Sequence, residues 1–183
     1  MGEGRRVRLL CEDRRTDRFL RALCKRFDLW VLESDVAPEG RGDASLWVRK
    51  HYASSVKKLR ARRHQRNLGL IVAIDGDNKG VHSRKAELAA ELVTAGVSPR
   101  DDIEAIALFV PTWSIETWLA PLCGEESVME TEPLKNHSSF RHLWEDGTAE
   151  AKTISAAVQA WKSGVIPSPS LAVGYMEADR VGL

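Results

Sequence analysis

The apolar run Leu68-Gly69-Leu70-Ile71-Val72-Ala73-Ile74 stops abruptly at Asp75-Gly76-Asp77-Asn78. A stretch without a polar side chain reads as a central strand, over 68–75, covered on both faces of a sheet. A second strand, near 6–11, is Val7-Arg8-Leu9-Leu10-Cys11, and it ends in Glu12-Asp13. Between them the period changes. Phe19, Leu20, Leu23 and Phe27 share one face of a helix over 16–27, with Thr16 as N-cap and Asp17 in its first turn. Leu29–Leu32 is a short strand, and residues 37–42, rich in Pro and Gly, form a loop. Trp47, Val48, Tyr52, Val56 and Leu59 keep helical spacing over 44–66 behind Asp43 as N-cap.

The alternation continues. A helix is predicted over 83–95, closed by Gly96 at C′, then a strand over 105–110 bounded by Pro111. Another helix begins at Ser114 as its cap. After Gly124 the character changes. Residues 125–135 read as an acidic loop, 139–145 and 149–162 as helical, and a last short helix starts at Pro169-Ser170. Strands alternating with helices predict an α/β fold, an open and mainly parallel sheet flanked by helices, with a helical C-terminal portion. The expected division is an α/β domain over 1–124 and a helical extension over 125–183 packed on it.

Length and composition narrow the class. At 183 residues and 43% hydrophobic, the chain suits one globular domain. No apolar stretch approaches the roughly 20 residues of a membrane span, and charges interrupt any signal-peptide core near the N-terminus. A cytoplasmic protein is expected. Cys11, Cys24 and Cys123 are too few and too scattered for a disulfide framework or a zinc site, so they are expected to be reduced core thiols. Trp30, Trp47 and Trp118 fall on apolar faces and are expected in the core; Trp113, beside Pro111, is expected to be partly exposed.

Charge is unevenly distributed. Residues 1–66 hold 18 Lys and Arg against 9 Asp and Glu, and the rest of the chain is acidic. A basic half beside carboxylates suits a nucleic-acid enzyme, with cations for phosphates and acids for a metal. It equally suits two halves that neutralise each other across an internal interface.

The candidate chemistry lies at the strand ends. Asp75 and Asp77, two residues apart, repel each other unless a cation lies between them, and hard divalent ions such as Mg²⁺ or Mn²⁺ prefer carboxylate oxygens. Glu12 is a candidate metal ligand or general base, and Glu116 a fourth acid that can complete the shell or simply suit its helix dipole. Arg14, Arg15, Lys79, Arg84 and Lys85 flank the acidic turns and are candidate phosphate grips. Lys57, Lys58, Arg62 and Arg63 lie in a basic stretch running to Arg66, a candidate backbone-binding stripe or a solvated face. His82 follows the acidic loop and is a weaker candidate for the same crevice.

Strand–Glu12, helix, strand, helix, strand–Asp75-x-Asp77 resembles the Toprim fold of topoisomerases, bacterial primases and OLD-family nucleases. Thr16-Asp17 is similar to the Thr-Glu of that family's first motif, although Asp13 stands where the family has Gly and one extra residue precedes Thr16. The segment Ile115-Glu116-Thr117-Trp118 and the position of Arg84 resemble small stand-alone bacterial Toprim-like proteins often found beside an ATPase. The resemblance spans about residues 6–122. It implies a Mg²⁺- or Mn²⁺-dependent endonuclease with Glu12, Asp75 and Asp77 as catalytic residues. It further implies a nucleic-acid substrate, DNA ahead of RNA, and antiphage defence with an AAA- or ABC-type ATPase partner. The alternative is a non-catalytic Toprim-like subunit that binds or regulates an ATPase. Haloacid-dehalogenase phosphatases and glycosyltransferases also use Asp-x-Asp, but neither accounts for Glu12 or for Glu116.

Overall fold

A computed structural model describes residues 4–40, 42–65, 67–125, 128 and 130–183. Four strands, β1 (Arg6–Cys11), β2 (Trp30–Val36), β3 (Leu68–Ala73) and β4 (Ile106–Phe109), form one parallel sheet in the order β2-β1-β3-β4. The helices between them are α1 (Arg14–Arg26), α2 (Ala44–Ala61) and α3 (Gly80–Thr94), followed by α4 (Glu116–Leu122). A 3₁₀ helix (Ser138–Leu143), α5 (Gly147–Lys162) and α6 (Pro169–Ala178) complete the chain. Right-handed crossovers put α1 on one face, because the chain steps from β1 outward to β2. The steps from β2 to β3 and from β3 to β4 run the opposite way, so α2 and α3 cover the other face.

Two cores result. Phe19, Leu20 and Leu23 of α1 pack with Trp118 of α4, Trp161 of α5 and Leu171 of α6 against one face of the sheet. Val48, Tyr52 and Val56 of α2 pack with Leu88 and Leu92 of α3 against the other. The alternate residues of β3 divide between them: Ile71 and Ala73 face the first core, Leu70 and Val72 the second. That double burial is why the strand lacks polar side chains. Helices α5 and α6 belong to the first core, so the C-terminal portion shares its hydrophobic interior with the sheet. Among the described residues no helix is long and apolar enough to cross a membrane. Cys11 and Cys24 are buried, Cys123 is partly buried, and all three are free thiols.

Local details depart from the sequence reading. Helix α1 starts two residues earlier than expected, because Asp13, not Thr16, is its N-cap: the Thr16 N–H donates to Asp13 Oδ1 at 2.8 Å. The side chain of Ser114 caps nothing; its hydroxyl is buried without a partner among the described residues, and its carbonyl accepts from Thr117 instead. Helix α2 ends at Ala61, and Arg66, like Arg41 of the loop, lies outside the described residues. Helix α3 begins at Gly80, which places His82 on an exposed turn of the helix. Trp30 is not in the core but 70% exposed, because β2 is an edge strand and Trp30 stands at its open end. Trp47 is partly buried, Trp118 fully buried and Trp113 partly exposed. Asp43 does cap α2, accepting from Leu46 N–H at 3.1 Å, and Gly96 closes α3 with φ +63°.

Candidate functional site

The strand order creates a crevice. After β1 the chain leaves over one face, and after β3 over the other, so the two strand ends diverge and leave a gap at their C-terminal edge. Cys11 and Ala73 are paired in register, which puts the Glu12 and Asp75 turns side by side on neighbouring strands. Such strands lie about 4.8 Å apart. The Asp75 N–H donates to Glu12 Oε1 at 2.9 Å.

Gly76 draws a third turn into the same place. Its N–H donates to Pro111 O at 2.8 Å, and a Cβ built at Gly76 would lie 2.2 Å from Thr112 O. Only glycine permits that approach of the β3 and β4 exits. Asp77, at φ +47°, then donates its N–H to Trp113 O at 3.0 Å. These bonds hold the segment from Pro111 to Glu116 over the crevice. Glu116 opens α4 there, 1% exposed, and its Oε2 is buried without a hydrogen-bond partner among the described residues.

The acids feel one another. Burial raises the Glu12 carboxyl from 4.5 to about 7; the Asp77 and Asp13 charges add to the rise, while the Asp75 N–H and Arg84 oppose it. Asp75 is 8% exposed. Burial, then the charges of Glu12, Asp13, Glu116 and Asp77, raise its carboxyl well above the ordinary range. Asp75 is therefore the point where the field of four other acids converges.

Two arginines bind the rim of this cluster. Arg84 is buried; its Nε donates to Asp75 O at 2.7 Å and its Nη1 to Glu87 at 2.7 Å, and it forms an ion pair with Asp77. Arg15 forms an ion pair with Glu116, donates through Nε to Glu150 Oε2 at 2.9 Å, and lies 5.5 Å from the ring centroid of Trp144. Glu150 also takes Arg18. Arg15 and Arg84 are thus engaged inside the protein. Arg14 is exposed and paired with Glu39 at 3.0 Å, Lys79 is exposed and paired with Glu87 at 2.5 Å, and Lys85 is paired with Glu177 at 2.6 Å.

The basic end of α2 stands elsewhere. The helix runs antiparallel to the strands, so its C-terminus lies at the opposite edge of the sheet, about 27 Å of helix away from its start at the crevice end. Lys57 donates there to Ala95 O at 3.1 Å, while Lys58, Arg62 and Arg63 are exposed. The structure brings Glu12, Asp75, Asp77 and Glu116 together with Arg15 and Arg84. It does not bring Lys57, Lys58, Arg62 and Arg63 to them.

Among the described residues no three Asp, Glu, His or Cys side chains already stand in a metal-clasping cluster. The donor chemistry nonetheless suits a hard divalent cation: carboxylates only, with partly buried Glu12 and buried Asp75 raised first by burial and then by neighbouring acids, and one orphaned oxygen on Glu116. Glu12, Asp75 and Glu116 are the residues that fit, with Asp77 available on release from Arg84.

Sequence reasoning missed Asp13 and Glu150. Asp13 was legible, as the acid just before a helix. Glu150 reads as an ordinary first-turn acid, and nothing local says that α5 lies against α1. A scan against protein-family models found no match for this chain, and searches of curated proteins and of solved structures found none either.

Proposed function

We propose that this protein is a metal-dependent nuclease, hydrolysing phosphodiester bonds of DNA or RNA at the crevice between β1 and β3. The observation that carries the reading is the meeting of Glu12 and Asp75, two carboxyls with raised pKa, at the divergence of two parallel strands. Glu12, Asp75 and Glu116 would hold Mg²⁺ or Mn²⁺, with Asp77 joining them. Bound there, the metal would supply neutralising charge to the phosphate and a more acidic water. Glu12, pushed up to about 7 mainly by burial in the metal-free site, would act either as a ligand, in which case the cation lowers its pKa, or as a general base beside the ion. Arg84 fixes the turn that carries Asp75, and Arg15 orients Glu116.

The Toprim-like motifs extend the proposal to a cytoplasmic effector of bacterial defence, acting with an ATPase partner on DNA. A second reading, a non-catalytic subunit of an ATPase complex, is favoured by the Arg84–Asp77 and Arg15–Glu116 ion pairs, which occupy two of the four acids. Cleavage of labelled single- and double-stranded DNA and of RNA, in EDTA, Mg²⁺ and Mn²⁺, separates the two. The nuclease reading expects metal-dependent cleavage that falls by a factor of about 10² or more in Glu12→Gln. Cleavage undiminished in that variant would mean a nuclease centre elsewhere or a contaminant, and cleavage absent in every metal, with and without an operon-encoded ATPase, favours the binding subunit.

A further inference from the structure

On the face of the protein away from α2 and α3, α1 and α5 lie side by side and leave an open groove of about 1200 Å³. Arg18 meets Glu150 at the crevice end, and Arg26 donates to Gln159 at 3.2 Å near the other, so the two helices run in the same direction. The groove is lined from Arg18 to Arg26 on α1 and from Gly147 to Lys162 on α5, whose 16 residues span about 24 Å.

Its floor is aliphatic and low. Ala22 comes from α1, and Ala151, Ile154 and Val158 come from α5 at helical spacing. Its rim is basic. Lys25, Lys152 and Lys162 are exposed, and their ammonium groups make no close ion pair or hydrogen bond among the described residues, although Asp146 lies within the field of Lys152. Of the two acids that line it, Glu150 is already neutralised by Arg15 and Arg18, which leaves Asp28.

We infer that this groove docks an acidic amphipathic helix of a partner protein. Small side chains on the floor let a third helix approach closely, its apolar stripe between α1 and α5, while glutamates or aspartates on its flanks meet the lysines. A helix about 20 Å long and 10 Å across, sunk to half its depth, fills roughly 800 Å³, which the groove accommodates. A second copy of this chain would set lysine rim against lysine rim, and like charges there oppose it. A nucleic-acid single strand would find phosphate partners but no ring on the floor for its bases to stack on. A lipid surface does not enter a concavity between two helices.

The groove meets the acidic crevice only at Glu150, which the test variants leave unchanged, and binding is read in EDTA, so the test does not depend on catalysis. The probe is a fluorescein-labelled, helix-stabilised 18-residue peptide with a Leu/Ala stripe and glutamate flanks. Its lysine-flanked counterpart, a 20-nucleotide oligo(dT) and vesicles of mixed phosphatidylserine and phosphatidylcholine serve as comparisons, all in EDTA. The expected result is saturable anisotropy change with the acidic peptide and none with the basic one. Affinity falls at least tenfold in the triple variant Lys25→Glu, Lys152→Glu, Lys162→Glu. It falls at least tenfold also in Ala151→Trp, which blocks the floor without altering charge. Circular dichroism checks that both variants keep the fold. The inference is overturned if the acidic peptide does not bind, or binds both variants as well as the wild type. It is overturned also if oligo(dT) or vesicles bind with the lysine dependence and the acidic peptide does not, or if sedimentation shows a dimer that Ala151→Trp dissociates.

Discussion

Replacing Glu12 by glutamine should make the metal-free protein more stable at alkaline pH, and the size of the effect follows from the site. The Glu12 carboxyl titrates at about 7 in the folded chain against 4.5 for the free side chain, with burial the main cause. A folded pKa raised above its unfolded value means the native state holds the proton more tightly. Glu12 therefore favours the fold below the unfolded pKa, and this contribution is lost as pH rises towards 7. One pKa unit corresponds to about 1.4 kcal/mol, so a stabilisation on the order of 2–3 kcal/mol is lost between pH 5 and pH 8. Asp75, raised for the same reason, titrates with Glu12 as a pair and adds to the loss. In Glu12→Gln the new amide keeps a carbonyl oxygen for the Asp75 N–H but carries no charge, so the variant lacks the Glu12 part and relieves Asp75. Glu150 and Glu177, where burial is outweighed by hydrogen bonds from arginine and lysine partners, contribute stability that is lost only in acid, and they do so in both proteins. Urea denaturation in EDTA at pH 5 and pH 8 measures the difference. Wild type should lose on the order of 2–3 kcal/mol more than Glu12→Gln across that interval. Equal losses in the two proteins would refute the reasoning.

Gly76→Ala puts a methyl group against the Thr112 and Pro111 carbonyls, neither of which is a flexible side-chain end, and should cost on the order of 1–3 kcal/mol, read as a lower melting temperature. Glu150→Gln should loosen Arg15 and with it Glu116, weakening Mn²⁺ binding several-fold in calorimetry while circular dichroism stays unchanged; unaltered affinity would mean Arg15 holds Glu116 unaided.

The framework of the fold was legible because its signals are local. A strand apolar on both faces, as at 68–74, announces a central position, and acids at its end announce a turn at the strand's carboxyl end, where Asp75 is buried and Asp77 exposed. Asp43 and Gly96 could be read as helix ends because their bonds reach only three residues. What stayed hidden depends on contacts distant along the chain. Trp30 looked like core because apolar neighbours surround it in sequence, whereas the sheet order leaves β2 at an edge. Arg84 and Arg15 read as phosphate grips, but their partners, Asp75 O and Glu150, lie 9 and 135 residues away. The basic stretch ending α2 was visible as charge, yet its separation from the acids follows only from the helix running antiparallel to the strands.

The most direct test of an acidic metal centre is a Mn²⁺ titration followed by electron paramagnetic resonance, in which bound ion loses the six-line spectrum of free Mn²⁺. Asp75→Asn is the variant to compare, since it keeps the backbone N–H bond to Glu12 and the new side chain is close to the old in size. Wild type should bind Mn²⁺ saturably, and Asp75→Asn should bind it at least tenfold more weakly. Equal binding by the two proteins, or none by wild type at millimolar Mn²⁺, would contradict the account.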